Sequence, residues 1–512
     1  MSDKKTSGIW KVISASSMGT MIEWYDFYIF GSLAVVISTK FFPSDNPTAA
    51  FLSTLATFAA GFVVRPFGAL FFGRLGDLIG RKYTFMVTLL LMGGATFLIG
   101  CIPSYETIGF MAPLLVLVLR LLQGLALGGE YGGAATYVAE HAPAGQKGYW
   151  TSWIQTTATV GLFISLMVIL LTKGALSKEA FDEWGWRVPF WVSIIMVFVS
   201  YMIRKNMHES PVFAKAKSEG KTSVNPLKES FGHKYNLKFV LLALFGATMG
   251  QGVVWYTGQF YAMNFLKTVQ NIDSSQVDML LGVALVLGTP FFIVFGWLSD
   301  KVGRKYIMMG GMLLAILLYR PIYKAMYQTT DLALKTEIVE QTKTVPSMKE
   351  VDEAKMDSIY TTTKAYADGT TVEEIKTKHF ENGKLMLDDK GKEKIETKVT
   401  KTINNSDRWM LIFLVFIQVI FVTMVYGPIA AFLVEMFPVK IRYTSMSLPY
   451  HVGNGIFGGL LPAISTYFVT SAKDAGDAEF YLEGLWYPIG IAAVCFVIGM
   501  IYIDKKINTL HD

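Results

Sequence analysis

Long apolar runs separated by short polar clusters dominate the chain. A helix needs about 20 apolar residues to cross a hydrocarbon core. Candidate runs cover residues 13–38, 50–72, 84–102, 109–137, 150–173, 187–204, 238–266, 278–298, 306–320, 409–430, 444–470 and 483–503. None shows the strict apolar–polar alternation over about ten residues that a membrane-spanning strand requires. The pattern predicts an all-α membrane protein with twelve transmembrane helices, of which the ninth is short and poorly bounded.

The basic residues fall on one side of the predicted membrane. They cluster before the first run, between the second and third, between the sixth and seventh, after the eighth and after the twelfth. If the runs alternate in direction, these clusters share one face, as the positive-inside rule expects of cytoplasmic loops. We therefore expect a plasma-membrane protein, bacterial inner membrane being favoured, with both termini in the cytoplasm. The cytoplasmic loops then explain the net charge of +6, and we expect no nucleic-acid partner.

A short motif occurs twice along the chain. Gly73–Tyr83 is GRLGDLIGRKY, and Gly296–Tyr306, 223 residues later, is GWLSDKVGRKY. Glu140 and Glu435, each followed seven residues later by a cation, are 295 residues apart. The repeats predict two pseudo-symmetric six-helix halves, an architecture common among transporters, with some 72 extra residues in the second half.

The composition places those extra residues in one polar insert. Glu381–Lys384 and Asp388–Lys392 within it are typical of turns between short strands, but a flexible polar loop is favoured over a small folded cap. The predicted units are an N-terminal half at 1–204, a cytoplasmic linker at 205–237, helices seven to nine at 238–328, an extracytoplasmic insert at 329–407, and helices ten to twelve at 408–512.

The repeated motif has a physical rationale. Gly73 and Gly80 allow close backbone approach and a tight turn. Asp77 and Arg81 are able to form charge-assisted hydrogen bonds at helix ends, where the helix dipoles strengthen them. A solvated basic turn would explain one copy of the motif but not two.

These motifs resemble those of the major facilitator superfamily, whose loop signature is Gly-x-Leu-Ala-Asp-x-x-Gly-Arg-Lys. Glu23–Phe27 (EWYDF), Arg120–Gly133 (RLLQGLALGGEYGG), Trp184–Phe190 (WGWRVPF) and Glu209–Phe213 (ESPVF) look like the metabolite:proton symporter family within it. The resemblance covers roughly 1–325 and 408–508, and the long insert departs from it. It implies the major facilitator fold and the import, with protons, of shikimate, 2-oxoglutarate, citrate, aromatic carboxylates, proline or betaine.

The resemblance also implies a gating latch between the halves at the cytoplasmic face. The implied latch residues are Gly73, Asp77, Gly80, Arg81, Glu140, Asp300, Gly303, Arg304, Glu435 and Arg442.

Ionisable residues inside the runs are the candidates for proton coupling. Glu23 and Asp26 lie three residues apart, hence on one helix face, about 15–20 Å into the first span. Two close carboxylates in a low dielectric cannot both ionise cheaply, so one of them is able to carry a proton, with Asp26 slightly favoured. A structural hydrogen-bonded pair is the alternative. His451 is able to relay protons, unless it is a hydrogen-bonded structural histidine.

Substrate-binding candidates include two arginines. Arg120, in a segment that resembles the Arg-x-x-Gln-Gly motif of proton-coupled members, lies roughly 16 Å into the fourth span, where a charge needs a partner. It is expected to meet an anionic substrate, or to be internally paired if the substrate is a zwitterion. Arg65 either snorkels to the cytoplasmic surface or offers a cation to the substrate or to the carboxylates of the first helix. Trp255, Tyr256 and Gln259 of the seventh span are further candidates, unless they are interfacial anchors or interhelical contacts. The remaining candidates are Gln123 of the same fourth-span motif and Tyr450 and Asn454 beside His451.

We therefore expect a monomeric, proton-coupled symporter that imports a small organic solute by alternating access, with a carboxylate metabolite favoured. A zwitterionic osmolyte is the alternative substrate, and a drug/proton antiporter is a further alternative function. The sequence contains no metal-spaced His/Cys group, phosphate-binding loop or nucleophile elbow, so we expect neither enzymatic activity nor a cofactor or metal.

Overall fold

The computed structural model describes residues 2–42, 53–54, 57, 60–352, 355–381, 384–386, 393 and 395–503. Within these residues, ten helices are long and apolar enough to cross a membrane by length and composition. Ser2–Ser32 and Arg65–Leu78 complete the twelve that the hydrophobic pattern predicts. The beginning of the predicted second span and the last nine residues of the chain lie outside the described part.

The first six membrane helices pack together as one half of the bundle. They are α1 at Ser2–Ser32, which is continued by Ala34–Phe41, α2 at Arg65–Leu78, α3 at Arg81–Ile99, α4 at Met111–His141, α5 at Lys147–Ala175 and α6 at Val188–Lys205. A linker containing the short helix Pro211–Ser218 leads from α6 to the second half.

The second half repeats the arrangement. It comprises α7 at Lys234–Val269, α8 at Ser274–Val302, α9 at Arg304–Thr329, α10 at Asn405–Met436, α11 at Arg442–Asp474 and α12 at Trp486–Tyr502. The prediction that α9 is short is wrong. The helix continues through Arg320, whose guanidinium lies 3.3 Å from the Glu483 carboxylate and over the Trp486 ring. The charge that interrupts the apolar run is therefore satisfied by residues at and just before the start of α12.

The insert is a folded antiparallel sheet, so the favoured flexible loop is wrong. Its strands are β1 at Lys343–Asp352, β2 at Lys355–Ala365, β3 at Thr371–Glu381, β4 at Lys384–Leu385 and β5 at Ile395–Thr402. β2 lies between β1 and β3, while β4 and β5 both pair with the other edge of β3. Glu381 pairs with Lys384, as the first predicted turn requires. The second predicted turn, 388–392, lies outside the described residues.

A half-buried lysine closes the base of this sheet. Lys335 bonds both Asp368 and Asp407, which joins the start of the insert to the first turn of α10. Although partial burial of the Asp368 carboxyl opposes the change, hydrogen bonds from Lys335 and Thr370 lower its pKa to about 2. These contacts hold a sheet that has little apolar surface to bury.

The bundle has two distinct ends. The α2–α3 and α8–α9 loops lie at one end, which we call the latch face. The α7–α8 loop and the sheet lie at the other end, which we call the insert face.

Candidate functional site

Asp26 of α1 forms a closed polar network with α4. Its carboxylate lies 2.6 Å from the Arg120 guanidinium and accepts a 2.9 Å hydrogen bond from the Gln123 amide. Gln123 in turn accepts from Arg120 at 2.6 Å and donates to Thr96 at 2.7 Å. Arg120 is therefore neutralised within the protein in this conformation, and its side chain is only 6% exposed.

Glu23, one helical turn earlier, has a different arginine. Its carboxylate lies 3.2 Å from Arg65, whose guanidinium stacks over the Phe62 ring at 4.3 Å. Arg65 thus points to the α1 carboxylate and does not snorkel to the membrane surface. Each of the two α1 carboxylates therefore has its own arginine, and Arg65 offers its cation to Glu23, which is one of the alternatives that the sequence left open.

A central cavity lies between the two halves beside the Glu23–Arg65 pair. Its lining combines residues of α1 and the α2 region with residues of α7, α10 and α11: Glu23, Trp24, Phe62, Arg65, Trp255, Tyr256, Tyr426, Tyr450, His451, Asn454 and Gly455. Within the described part of the chain, three buried polar atoms on this lining lack a hydrogen-bond partner: Nε of Arg65, Nε1 of Trp255 and Nε2 of His451. Because buried polar groups are normally satisfied, these atoms indicate a place for a polar ligand or water.

The structure divides the predicted binding residues among three places. Arg65, Trp255, Tyr256, Tyr450 and Asn454 line the central cavity together with the proton-coupling candidates Glu23 and His451. Arg120, Gln123 and Asp26 line a smaller polar pocket next to it. Gln259 is buried on α7 and is not among the described residues that line either space.

Aromatic contacts lie on both sides of the cavity. Towards the latch face, the Tyr131 ring stacks on Tyr450 with centroids 3.7 Å apart, and the Tyr450 and Tyr426 hydroxyls are 2.7 Å apart. Towards the insert face, Phe27 contacts Phe260 at 5.2 Å. Sequence reasoning missed Tyr131 and Tyr426, because an aromatic residue in an apolar run carries no mark of the face it occupies.

The first copy of the repeated motif binds the opposite half. The Asp77 carboxylate accepts hydrogen bonds from the backbone N–H groups of Tyr443, at 3.4 Å, and Thr444, at 2.8 Å, in the first turn of α11. It also accepts from the Thr444 hydroxyl at 2.8 Å and pairs with Arg81 at 2.9 Å. A carboxylate at a helix N-terminus is favoured by the unpaired N–H groups and by the helix dipole.

The second copy makes the same contact in the reverse direction. The Asp300 carboxylate accepts from the backbone N–H groups of Gly148, at 2.9 Å, and Tyr149, at 2.8 Å, in the first turn of α5. It pairs with Arg304 at 2.7 Å, and Arg304 pairs with Glu435 at 3.0 Å. Each half therefore inserts one aspartate into a helix N-terminus of the other half.

A third contact joins the halves between these two. Arg442 lies 2.9 Å from Glu140 of the other half, and Arg81 donates to the Val439 carbonyl at 2.9 Å. The whole set of predicted latch side chains is thus gathered on one face of the bundle.

The predicted roles of the motif glycines agree with the backbone. Gly80 and Gly303 have φ values of 129° and 106°, a region that favours glycine. At Gly73, a Cβ would lie 2.9 Å from the Thr444 Cα, so the two halves approach too closely there for a larger residue.

The linker adds a support to the latch that sequence reasoning did not assign. The Glu209 carboxylate accepts from the backbone N–H groups of Arg81 and Lys82 at the start of α3, at 3.1 and 3.3 Å. Phe213, from the same ESPVF segment, stacks under the Arg81 guanidinium at 4.3 Å. The spacing of an acidic residue before a Ser-Pro helix start was the available signal.

Comparisons with known proteins agree with this architecture. The family model for "Sugar (and other) transporter" matches residues 11–336. The inner membrane metabolite transport protein YhjE of Escherichia coli K12 is 39% identical over 307 residues, which cover 58% of this chain and 68% of that protein. The alpha-ketoglutarate permease of the same organism is 28% identical over 495 residues, 96% of this chain and 93% of the permease.

A similar fold is found among solved structures. A proton:xylose symporter, XylE, superposes with a TM-score of 0.68 at 15% sequence identity and covers 98% of this chain and 97% of the symporter. That likeness shows the two-half, twelve-helix fold. The chain belongs to the sugar (and other) transporter family of the major facilitator superfamily, and it is a multi-spanning membrane transporter rather than an enzyme.

Proposed function

We propose that this protein is a proton-coupled symporter that imports a small organic solute by alternating access. The observation that carries the proposal is the central cavity, which combines the Glu23–Arg65 ion pair with unsatisfied polar atoms of both halves. Transporters of duplicated architecture bind substrate at such an interface. Because one chain supplies both sides of the cavity, a monomer in the lipid bilayer is sufficient.

We place both termini in the cytoplasm and the insert outside, in the bacterial inner membrane. This orientation follows from the basic loops and makes the latch face cytoplasmic. The Asp77, Asp300 and Glu140 contacts then close the cytoplasmic side. For the solute to leave inward, these contacts have to break, which is the gating role that we assign to the latch residues.

Proton coupling is assigned to Asp26, with Glu23 and His451 as further candidates. Asp26 holds Arg120 in a 2.6 Å ion pair. A proton on Asp26 neutralises the carboxylate that pairs with Arg120. Because an unpaired buried charge is costly, Arg120 then needs another negative partner. Proton binding thereby makes Arg120 available to a substrate carboxylate, which links the two events.

The favoured substrate is a small metabolite that carries a carboxylate. Arg65 borders the central cavity and has an unsatisfied Nε donor, and a guanidinium is the cation best matched to carboxylate geometry. Arg120 would supply the second cation after Asp26 takes up a proton.

A zwitterionic osmolyte is the second candidate, and two observations favour it. Arg120 is internally paired, as expected for a substrate without net charge. The rings of Trp24, Trp255 and Tyr256 also lie beside Glu23, and aromatic faces with a nearby carboxylate suit an ammonium group. Such a solute would place its carboxylate on Arg65 and its cationic end on the rings.

Uptake into proteoliposomes tests the proposal. The panel comprises labelled dicarboxylates, citrate, shikimate, aromatic acids, proline and betaine, with an inward proton gradient that is then collapsed by a protonophore. Accumulation of one acid that the protonophore abolishes supports the favoured substrate class, and accumulation of betaine or proline supports the second. Gradient-driven dye efflux without solute uptake would replace symport by drug/proton antiport.

Two glutamine variants supply a matched comparison. Gln123→Ala removes the bridge between Asp26 and Arg120, whereas Gln259→Ala changes a buried glutamine outside both spaces. We expect Gln123→Ala to weaken proton-driven accumulation and Gln259→Ala to retain it. Equal losses in both variants would contradict the assignment of the α1–α4 network to coupling.

A further inference from the structure

The last strand of the insert is hydrogen-bonded to the loop between α7 and α8. The Lys401 backbone N–H donates to the Asn271 carbonyl at 2.7 Å, and the Asp273 N–H donates to the Lys401 carbonyl at 2.8 Å. Ile272 thereby pairs with Lys401 as in a parallel sheet. Asn271 has a φ of 55°, a left-handed conformation that asparagine tolerates better than most residues. The sheet of the insert thus continues onto the loop that ends α7.

Side chains reinforce this junction. The Gln276 amide donates to the Ile403 carbonyl at 3.1 Å and accepts from the Ile403 N–H at 2.8 Å. Thr330, just after α9, donates to the Gln270 side chain at 2.9 Å and accepts from the Lys401 ammonium at 3.1 Å. We call these contacts of residues 401–403 and 330 with the α7–α8 region the insert clamp.

The clamp acts on the end of the helix that lines the cavity. α7 carries Trp255 and Phe260, which contact Trp24 and Phe27 of the other half at 5.0 and 5.2 Å. Opening the cavity towards the insert face requires these rings to separate, so α7 has to move relative to α1. α7 also contains three π-helical segments, at Leu244–Thr248, Thr257–Tyr261 and Phe265–Val269. Widened turns of this kind are frequent at functional sites.

We infer that the insert is a positioning element for α7. By fixing the α7–α8 loop to the ends of α9 and α10, the clamp sets how readily the rings of α7 leave α1 and open the cavity towards the insert face. This inference rests on the alternating access proposed above, but it adds a role for a segment that the repeat of the two halves does not contain.

Distances between spin labels test the clamp without any solute. We would place one label on the first half by Glu106→Cys and one on the end of α7 by Thr268→Cys, both exposed positions at the insert face, in a background without Cys101 and Cys495. Gln276→Ala removes both amide bonds to Ile403. The control, Gln341→Ala, makes the same change at an exposed position of the insert.

With Gln276→Ala we expect a broader distance distribution and an increase of at least about fivefold in the more open population, which is the lower limit for the loss of two hydrogen bonds. We also expect a changed maximal uptake rate with a half-saturating concentration within about twofold of the unmodified protein, because Gln276 does not touch the cavity. If Gln276→Ala does not fold, Thr330→Val, which removes the bond to Gln270, is measured in its place.

If the distance distribution of Gln276→Ala superposes on those of the unmodified protein and Gln341→Ala, the inference is overturned. This holds even if the thermal stability of Gln276→Ala is lower than that of the unmodified protein. Since the distances need neither a solute nor a proton gradient, failure of the clamp is distinguishable from failure of the proposed symport.

Discussion

Neutralising Asp77 should open the latch face. Asp77→Asn keeps the size of the side chain but removes the negative charge of the carboxylate. Two backbone N–H groups of α11 and the Thr444 hydroxyl donate hydrogen bonds to that carboxylate. An asparagine also turns its NH₂ group towards one of these donors. Because the contacts join the two halves, their loss weakens the conformation closed at this face and leaves the fold of each half intact.

The size of the effect follows from the hydrogen bonds. A hydrogen bond to a charged group contributes about 1.5–3 kcal/mol. Of the three bonds to Asp77, the two at 2.8 Å are the stronger ones. Losing them at the lower value removes about 3 kcal/mol, which corresponds to a change of roughly 150-fold in the ratio of closed to open latch.

Spin labels introduced by Arg74→Cys and Lys301→Cys, exposed at the latch ends of the two halves, report this ratio. We expect a second, longer distance in Asp77→Asn and in its symmetry mate Asp300→Asn. Asp278→Asn, an exposed aspartate near the insert face, is the control. If Asp77→Asn and Asp300→Asn both give the distance distribution of the control, the aspartates do not hold the halves together.

Three further predictions concern stability. Gly80→Ala should lower the unfolding temperature by an amount equivalent to about 2 kcal/mol, because φ is 129° and the new Cβ would lie 2.2 Å from Glu209; Gly94→Ala, where a Cβ meets nothing within 4 Å, is the control. Arg120→Ala should lower the free energy of unfolding by about 3 kcal/mol, because Asp26 loses its counter-charge, and the double variant with Asp26→Ala should recover part of that stability. If the losses of the two single variants simply add in the double variant, the two side chains do not stabilise each other. The pKa of Asp368 is lowered to about 2 from an ordinary value of 3.8, so its stabilising effect is complete above about pH 4 and disappears as the pH falls through about 2. Unfolding curves of the unmodified protein and Asp368→Asn should therefore differ at neutral pH and converge near pH 2, and a constant difference would contradict this origin.

Much of the fold was predictable because membrane helices are apolar along their whole length. The repeat of GRLGDLIGRKY in GWLSDKVGRKY also marked the two loops whose aspartates enter opposite helix N-termini. The depth of Glu23, Asp26 and Arg120 follows from the helical rise alone. Such arguments place a residue along the membrane normal, which is the coordinate that the sequence encodes best.

What was not predictable depends on how helices turn towards one another. The sequence offered two carboxylates and two arginines, and only the packing of α1 against α2 and α4 decides that Glu23 meets Arg65 and Asp26 meets Arg120. The folded insert was ranked below a flexible loop for another reason. Its strands expose polar residues on both faces and are held together by backbone pairing with neighbouring strands. They therefore lack the alternating apolar pattern from which a half-buried strand is predicted.

Proton movement coupled to solute is the most direct test of the central claim. Proteoliposomes would be loaded with a pH-sensitive dye at equal internal and external pH, and the solute identified in the uptake panel would be added outside. We predict that the interior acidifies when the solute enters and that Asp26→Asn abolishes the acidification while solute exchange continues. Solute entry at the full rate without any internal pH change would contradict proton symport by this protein.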